Sequence, residues 1–243
     1  MQVVSVEKVS KSYLLGNQEV QALKQVDLTI DEGDFLAIAG PSGSGKSTLL
    51  NLIGCIDTPT SGHIYIGGNR VSEQTPDALA DLRARSIGFI FQTFNLLPVL
   101  SAAENVEYPL LQFKELRRTE RKDRVDFYLK VVGLERFARH RPNELSGGQR
   151  QRVATARALA TKPKIILADE PTANLDHKTG ASILELMKEI NLVEKATFVF
   201  STHDPAVMRI ADRVVEMNDG QITGRGEALQ KWHTLVAEGK NRA

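Results

Sequence analysis

Gly40-Pro41-Ser42-Gly43-Ser44-Gly45-Lys46-Ser47-Thr48 is the stretch that decides the fold. It follows the apolar run Phe35-Leu36-Ala37-Ile38-Ala39, which reads as a buried strand. It precedes Leu49-Leu50-Asn51-Leu52-Ile53, which reads as a helix. Strand, Gly-rich turn and helix make the setting of a phosphate-binding loop. The glycines let the backbone curl with its N–H groups inward, and the helix start adds unpaired amides and the positive end of its dipole. Lys46 brings a mobile point charge for β- and γ-phosphates, and the Ser47 hydroxyl brings a ligand for Mg²⁺. A Gly/Ser-rich linker would lack the flanking strand and helix. The stretch therefore reads as a nucleoside triphosphate site.

Further along, Ile165-Ile166-Leu167-Ala168 is a short, fully apolar strand that runs into Asp169-Glu170-Pro171. A central parallel strand reads this way, with its carboxylates at the C-terminal end where ligands collect. Asp169 is placed to hold Mg²⁺ opposite Ser47, and Glu170 to orient a water and take its proton. A second buried strand, Thr197 to Thr202, ends at His203-Asp204 on the same edge, which puts His203 near a γ-phosphate. Ile87 to Phe91 reads as a third strand. Gln92 at its end either satisfies a backbone group or reaches a metal or a water.

Thr93 to Leu100 is apolar but carries Asn95 and Pro98, so it reads as an irregular loop, either tucked into a core or held for a partner. Residues 101 to about 160 read as helical, with the charge run from Lys114 to Arg124 as a solvated face. Ser146-Gly147-Gly148-Gln149 interrupts them and opens a helix. Ser146 is a natural cap, and the glycines permit close approach, so this is a second helix start suited to an anion. Asn174-Leu175-Asp176 leads into a helix with the apolar face Ile183, Leu184, Leu186, Met187 and Ile190.

At the start of the chain, Val3 to Val6, Val20 to Leu23 and Val26 to Ile30 read as short strands around a polar turn at Gly16-Asn17-Gln18. Tyr13 near that turn either fills a core or offers a face on which adenine stacks. His63 to Val71 reads as a hairpin with a Gly-Gly turn, and Asn218-Asp219-Gly220 marks another between Arg213–Met217 and Gln221–Ile222. The tail after Gly224, with Trp232, reads as an amphipathic helix.

The 243 residues suit one large domain, with 42% hydrophobic and 25% charged residues. A net charge of +1 gives no basic field, so nucleic acid is not an expected partner. The single cysteine, Cys55, cannot form an internal disulfide and reads as a buried thiol. The N-terminus is not a signal peptide. No apolar run approaches the roughly 20 residues of a membrane-spanning helix. Any membrane role must come through a partner.

Together these motifs resemble the ATP-binding subunit of ABC transporters along almost the whole chain. Gly40 to Thr48 matches the Walker A loop and Ile165 to Asp169 Walker B, with Glu170 in the catalytic glutamate position. Leu145-Ser146-Gly147-Gly148-Gln149 matches the signature motif, Gln92 the Q-loop, Asn174-Leu175-Asp176 the D-loop, His203 the switch histidine and Tyr13 the adenine-stacking aromatic. Phe91 to Pro98 with Glu104-Asn105-Val106 resembles the lipoprotein-releasing and macrolide-export (LolD- and MacB-like) branch. Ala173 stands where that branch commonly has Gly, and Gln149-Arg150-Gln151-Arg152 replaces its frequent run of glutamines.

The expected fold is α/β: a phosphate-loop NTPase core with a mostly parallel sheet, an N-terminal antiparallel β-subdomain and an inserted α-helical subdomain. The expected boundaries are about 1–33 and 61–72 for the β-subdomain, 34–60, 73–92 and 161–224 for the core, 93–160 for the helical insertion, and 225–243 for a C-terminal helix. The resemblance implies ATP and Mg²⁺ as cofactors, and a second copy as partner in an ATP sandwich. It also implies integral membrane permease subunits and a cytoplasmic place on the inner face of the membrane. Without membrane helices of its own, the chain looks like a separate subunit. A mechanotransmission complex of the cell-division type would carry the same motifs. The translation type of soluble relative carries two cassettes and the repair type a long coiled coil; neither pattern occurs here.

Overall fold

In the computed structural model, which describes residues 1–16 and 18–227, the chain opens with two long antiparallel strands, β1 (Gln2–Leu15) and β2 (Gln18–Asp31). This corrects the expectation of three short strands. Each strand has 14 residues, but the register shifts between Val6 and Val9, Val9 and Lys11, and Lys11 and Ser12. Lys8 and Gln25 take φ values of 48° and 49° within the strands. A bulge of this kind inserts a residue and reverses the faces that follow, so one long strand shows a broken alternation.

The apolar run after the first turn is β3 (Phe35–Ala39), and the phosphate-loop helix is α1 (Lys46–Ile53). Next come β4 (Ser61–Ile66) and β5 (Asn69–Arg70), joined at Gly67-Gly68 as expected. They complete an antiparallel sheet of order β2-β1-β4-β5. The short helix α2 (Ala80–Ser86) and the expected strand β6 (Ile87–Ile90) follow. Three helices then intervene before the next strand: α3 (Ala102–Glu107), α4 (Arg118–Val131) and α5 (Gly147–Ala160).

The chain returns to the sheet as β7 (Ile165–Asp169), α6 (His177–Glu194) and β8 (Phe198–Thr202). It ends in α7 (Pro205–Ile210), β9 (Arg213–Asn218) and β10 (Gln221–Glu227). The second sheet has the order β10-β9-β3-β8-β7-β6, all parallel except the β9–β10 hairpin.

The expected C-terminal helix from residue 225 is overturned at its start. Arg225 to Glu227 pair with β9, and Arg225 donates from Nη2 to the Asp27 carbonyl at 2.6 Å. Gly226 has poor helix propensity, and the hairpin already supplies partners for this backbone. The remainder of that stretch, Trp232 included, lies outside the described residues. No helix among the described residues is long and apolar enough to cross a membrane.

Strand β3 divides the core. Phe35 and Ala37 face a cluster with α5, α6 and the inserted helices, where the Phe35 and Phe200 ring centroids lie 4.7 Å apart. Leu36 and Ile38 face α1 and the antiparallel sheet. This is the period-two geometry of a strand buried on both faces, and each fully buried large apolar side chain contributes about 1.5–3 kcal/mol. The parallel strands thus bring their C-terminal ends to one edge, where the polar residues collect.

Candidate active site

The phosphate loop sits on that edge. Gly40 donates its amide to the Thr202 carbonyl at 3.3 Å, and Ser44 donates to the Pro41 carbonyl at 3.3 Å. Gly45 is the N-cap of α1 at φ 99°, and a Cβ there would stand 2.6 Å from the Ala22 carbonyl oxygen. Glycine is therefore required by both conformation and space. No side chain caps α1, so its first-turn amides have no intrahelical acceptor and face the loop. Lys46 is buried, with Nζ donating to the carbonyls of Gly40 at 2.8 Å and Pro41 at 2.9 Å. The Ser44 hydroxyl is buried without a partner. Open amides, an orphan hydroxyl and a lysine fit a triphosphate.

The acids stand beside it. Ser47 Oγ donates to Asp169 Oδ1 at 3.1 Å, and Ser201 Oγ reaches the same oxygen. The Glu170 amide donates to the Ser201 carbonyl at 3.0 Å, and Glu170 takes φ 47°. Its carboxylate turns to His203, with Nδ1 2.7 Å from Oε1. The Glu170 side chain is 17% exposed and that of His203 63%. No group of three or more His, Cys, Asp or Glu among the described residues could hold a metal. One hydroxyl and one carboxylate fit Mg²⁺ that arrives on a nucleotide, because Mg²⁺ is held by few protein ligands plus phosphates and water.

Two further groups of expected residues lie near this edge. Gln92 is exposed after β6, and Asn174 Nδ2 donates to its carbonyl at 2.8 Å, tying the segment 174–176 to the strand end. Ser146 caps α5: its Oγ accepts from the Gln149 amide at 3.3 Å, while Gln149 Oε1 accepts from the Ser146 amide at 2.8 Å. A Cβ on Gly148 would stand 2.4 Å from Thr179 Cγ2, so the close approach needs glycine. Asp176 caps α6 by accepting from the Thr179 amide at 3.0 Å, and the Thr179 hydroxyl and amide hold its carboxyl below the usual range. Gly147 and Gly148 have Asn174, Leu175 and Thr179 as neighbours, with no phosphate-loop atom of the described residues within 4 Å of either Cβ position. Tyr13, 36% exposed on β1, donates its hydroxyl to Asp57 Oδ2 at 2.8 Å.

Residues 23–173 match the ABC transporter family. The chain belongs to that family. It is 50% identical over 224 residues to the ABC transporter ATP-binding protein MJ0796 of Methanocaldococcus jannaschii, covering 90% of this chain and 95% of that protein. It is 44% identical over 222 residues to the macrolide export ATP-binding/permease protein MacB of Mannheimia succiniciproducens, covering 91% of this chain but 34% of MacB. Among solved structures, a dimeric post-hydrolysis state of MJ0796 bound to ADP and Pi superimposes with a TM-score of 0.85 at 48% identity, covering 93% of this chain and 98% of that one. The ABC cassette described here is thus an ATPase, and ATP is its nucleotide.

In this cassette the loop after Gln92 is tucked in, not held out. Phe94 and Asn95 take φ values of 63° and 47°. Arg157 from α5 donates to both their carbonyls, at 2.9 Å and 2.5 Å. The Phe94 ring is 9% exposed, with the Arg150 guanidinium 5.2 Å from its centroid. Asn105 from α3 accepts from the Leu97 amide at 2.7 Å and donates to the carbonyls of Leu97 and Leu100 at 3.1 Å each and of Ser101 at 3.0 Å. Of the two alternatives the loop offered, the core holds Phe94, while Leu97, 36% exposed, and Val99, 73% exposed, face out. Sequence reasoning gave no role to Arg157, Asn105, Asp57 or Ser201. Nothing in the sequence sets Arg157 apart from the other arginines of α5; the partial burial of its guanidinium against the Phe94 and Asn95 carbonyls does.

Proposed function

We propose that this cassette is the ATP-hydrolysing motor of a transport complex, working as a two-fold dimer on a separate membrane permease. Gly40 to Thr48 hold the triphosphate, with Lys46 released from the Gly40 and Pro41 carbonyls to the β- and γ-phosphates. Ser47 and Asp169 hold Mg²⁺, which neutralises phosphate charge when bound. Glu170 accepts a proton from the attacking water, and His203 orients Glu170 and reaches the γ-phosphate. Gln92 senses that phosphate from the strand end, and Tyr13 stacks on adenine.

The dimer reading rests on the Ser146 helix start. It is built for an anion, yet no phosphate-loop atom of its own chain stands beside its glycines. An isologous pair in which each Ser146-Gly147-Gly148-Gln149 end, with Asp176, closes on the partner's ATP uses every motif twice.

The observation that carries the transport reading is an open groove of about 440 Å³ that reaches Phe91, the residue before Gln92. The core lines it with Ile56, Phe89 and Phe91, and the inserted segment with Pro109 and Gln112 after α3 and Arg157 of α5. A short partner helix seated there would move whenever those two halves turn against each other. The likeness to the macrolide export protein MacB supports an exporter, of lipoproteins or hydrophobic compounds in the reading taken here, with the cassette on the inner face of the membrane through its permease. The test is co-purification from detergent-solubilised membranes with ATPase assays of the captured complex. Ile56→Asp and Ala84→Asp, both in the groove wall, should lose a membrane protein that wild type retains, with the isolated subunit's hydrolysis kept. Capture unchanged by both substitutions would refute the groove as the docking site. A captured partner that moves no substrate while hydrolysis proceeds would favour mechanical signalling.

A further inference from the structure

Beyond Ser10, β1 has lost its pairing with β4 and pairs with β2 alone. Tyr13 therefore stands on a two-stranded ribbon, an element of little stability by itself. A stacking platform must be fixed relative to the phosphate loop, and the ribbon cannot fix it. What holds it is a clasp to the segment just after α1. Asp57 sits at its centre. Its Oδ1 accepts from Lys11 Nζ at 2.7 Å and from the Thr58 amide at 2.7 Å, and its Oδ2 accepts from the Tyr13 hydroxyl at 2.8 Å. Lys11 Nζ also donates to the Thr58 carbonyl at 2.7 Å. The backbone joins in: the Ser12 amide donates to Thr60 Oγ1 at 3.0 Å and the Thr60 amide to the Ser10 carbonyl at 2.9 Å.

The geometry points to Asp57 and Lys11 as positioning residues for the nucleobase: they lock the Tyr13 ring at a set place and tilt above the phosphate-loop helix. Both oxygens of Asp57 are occupied, so the Tyr13 hydroxyl has one place to go. Lys11 Nζ lies 4.9 Å from the Tyr13 ring centroid, which covers one face and leaves the other for a base. Burial, then the Asp57 bond and charge, push the Tyr13 hydroxyl up, while the Thr48 hydroxyl acts on it in the opposite sense. The ring edge is thus in the range of α1 itself. Burial pushes the Asp57 carboxyl up, and the bonds from Lys11, Tyr13 and the Thr58 amide outweigh it and hold it low. The Asp57 side chain is 31% exposed, while Lys11 is buried and needs its partners, Asp57 and the Thr58 carbonyl, in place. The work of the pair is orientation. The inference rests on the reading of Tyr13 as the adenine platform.

The test compares two ligands on the full chain by calorimetry: ATP, and inorganic tripolyphosphate, which has no base, each with Mg²⁺. Tyr13→Ala should weaken ATP about tenfold and leave tripolyphosphate unchanged. Asp57→Ala and Tyr13→Phe should weaken ATP about threefold or more, again sparing tripolyphosphate. Asp57→Ala added to Tyr13→Ala should cost nothing further, because the group it positions is gone. Asp57→Asn, which keeps an acceptor for the hydroxyl, should restore most of the ATP affinity. Tripolyphosphate binding reports that each variant is folded around its phosphate loop. Equal loss for both ligands in Asp57→Ala, or no loss for either, overturns the positioning role. Unchanged ATP affinity in Tyr13→Ala overturns the platform reading beneath it.

Discussion

The imidazole Nδ1 of His203 lies 2.7 Å from Oε1 of Glu170, which joins the ends of two neighbouring parallel strands. A carboxylate only accepts, so Nδ1 carries a proton and donates it to Oε1, which fixes the carboxylate's direction. Glu170→Gln should keep ATP binding and lower single-turnover hydrolysis by about 10²–10⁴. His203→Ala should leave Glu170 unoriented and lower the same rate. Near-normal rates in Glu170→Gln would take the base role from it.

The Lys46 ammonium bridges the carbonyls of Gly40 and Pro41. Lys46→Ala should weaken ATP binding and abolish turnover while the loop still folds, because Gly45 and the α1 amides shape it. Calorimetry with ATP checks the first, and an unchanged thermal midpoint the second.

Asn105 is fully buried and satisfies four backbone groups of the loop at 97–101. Asn105→Leu keeps the volume and strands the Leu97 amide and the Leu100 carbonyl, each costing about 1–3 kcal/mol if it stays buried, while the Leu97 and Ser101 carbonyls keep the Leu100 and Asn105 amides. The urea midpoint should fall clearly, and proteolysis should begin at 93–101. A midpoint equal to wild type would show that water replaces the amide.

Arg157 donates to two successive carbonyls, those of Phe94 and Asn95, whose residues are held at positive φ. Arg157→Leu should release the Phe94-Asn95 backbone, seen as faster amide exchange over 93–97. Exchange unchanged by the substitution would place the restraint in the Phe94 contact with Arg150 instead.

Cys55 is 1% exposed, and burial pushes its thiol up to about 11. The thiolate is the reactive form, so at pH 8 a thiol reagent should leave the folded chain unmodified and label it fully in denaturant. Rapid native labelling would show that the segment after α1 opens.

Most of the site was legible because its chemistry is local. The phosphate loop, Asp169-Glu170 and His203 each lie at the end of a short apolar run, and parallel strands bring such ends together. The two hairpin turns were readable from Gly67-Gly68 and Asn218-Asp219-Gly220. The long strands were not, since bulges at Lys8 and Gln25 scramble the alternation that marks a strand. Nor were Arg157, Asn105 and Asp57, whose partners lie 62, 8 and 46 residues away in the case of Asn95, Leu97 and Lys11. A polar side chain that satisfies a distant backbone looks, in one dimension, like any other surface residue.

The division of β3 bears on how such a chain tolerates change. Phe35 and Ala37 belong to the cluster that carries the inserted helices, while Leu36 and Ile38 belong to the one that carries the nucleotide helix. Substitutions in separate clusters sum independently. One half can drift in sequence while the other stays under the demands of an unchanging nucleotide, so the inserted helices can be reshaped without rebuilding the phosphate site.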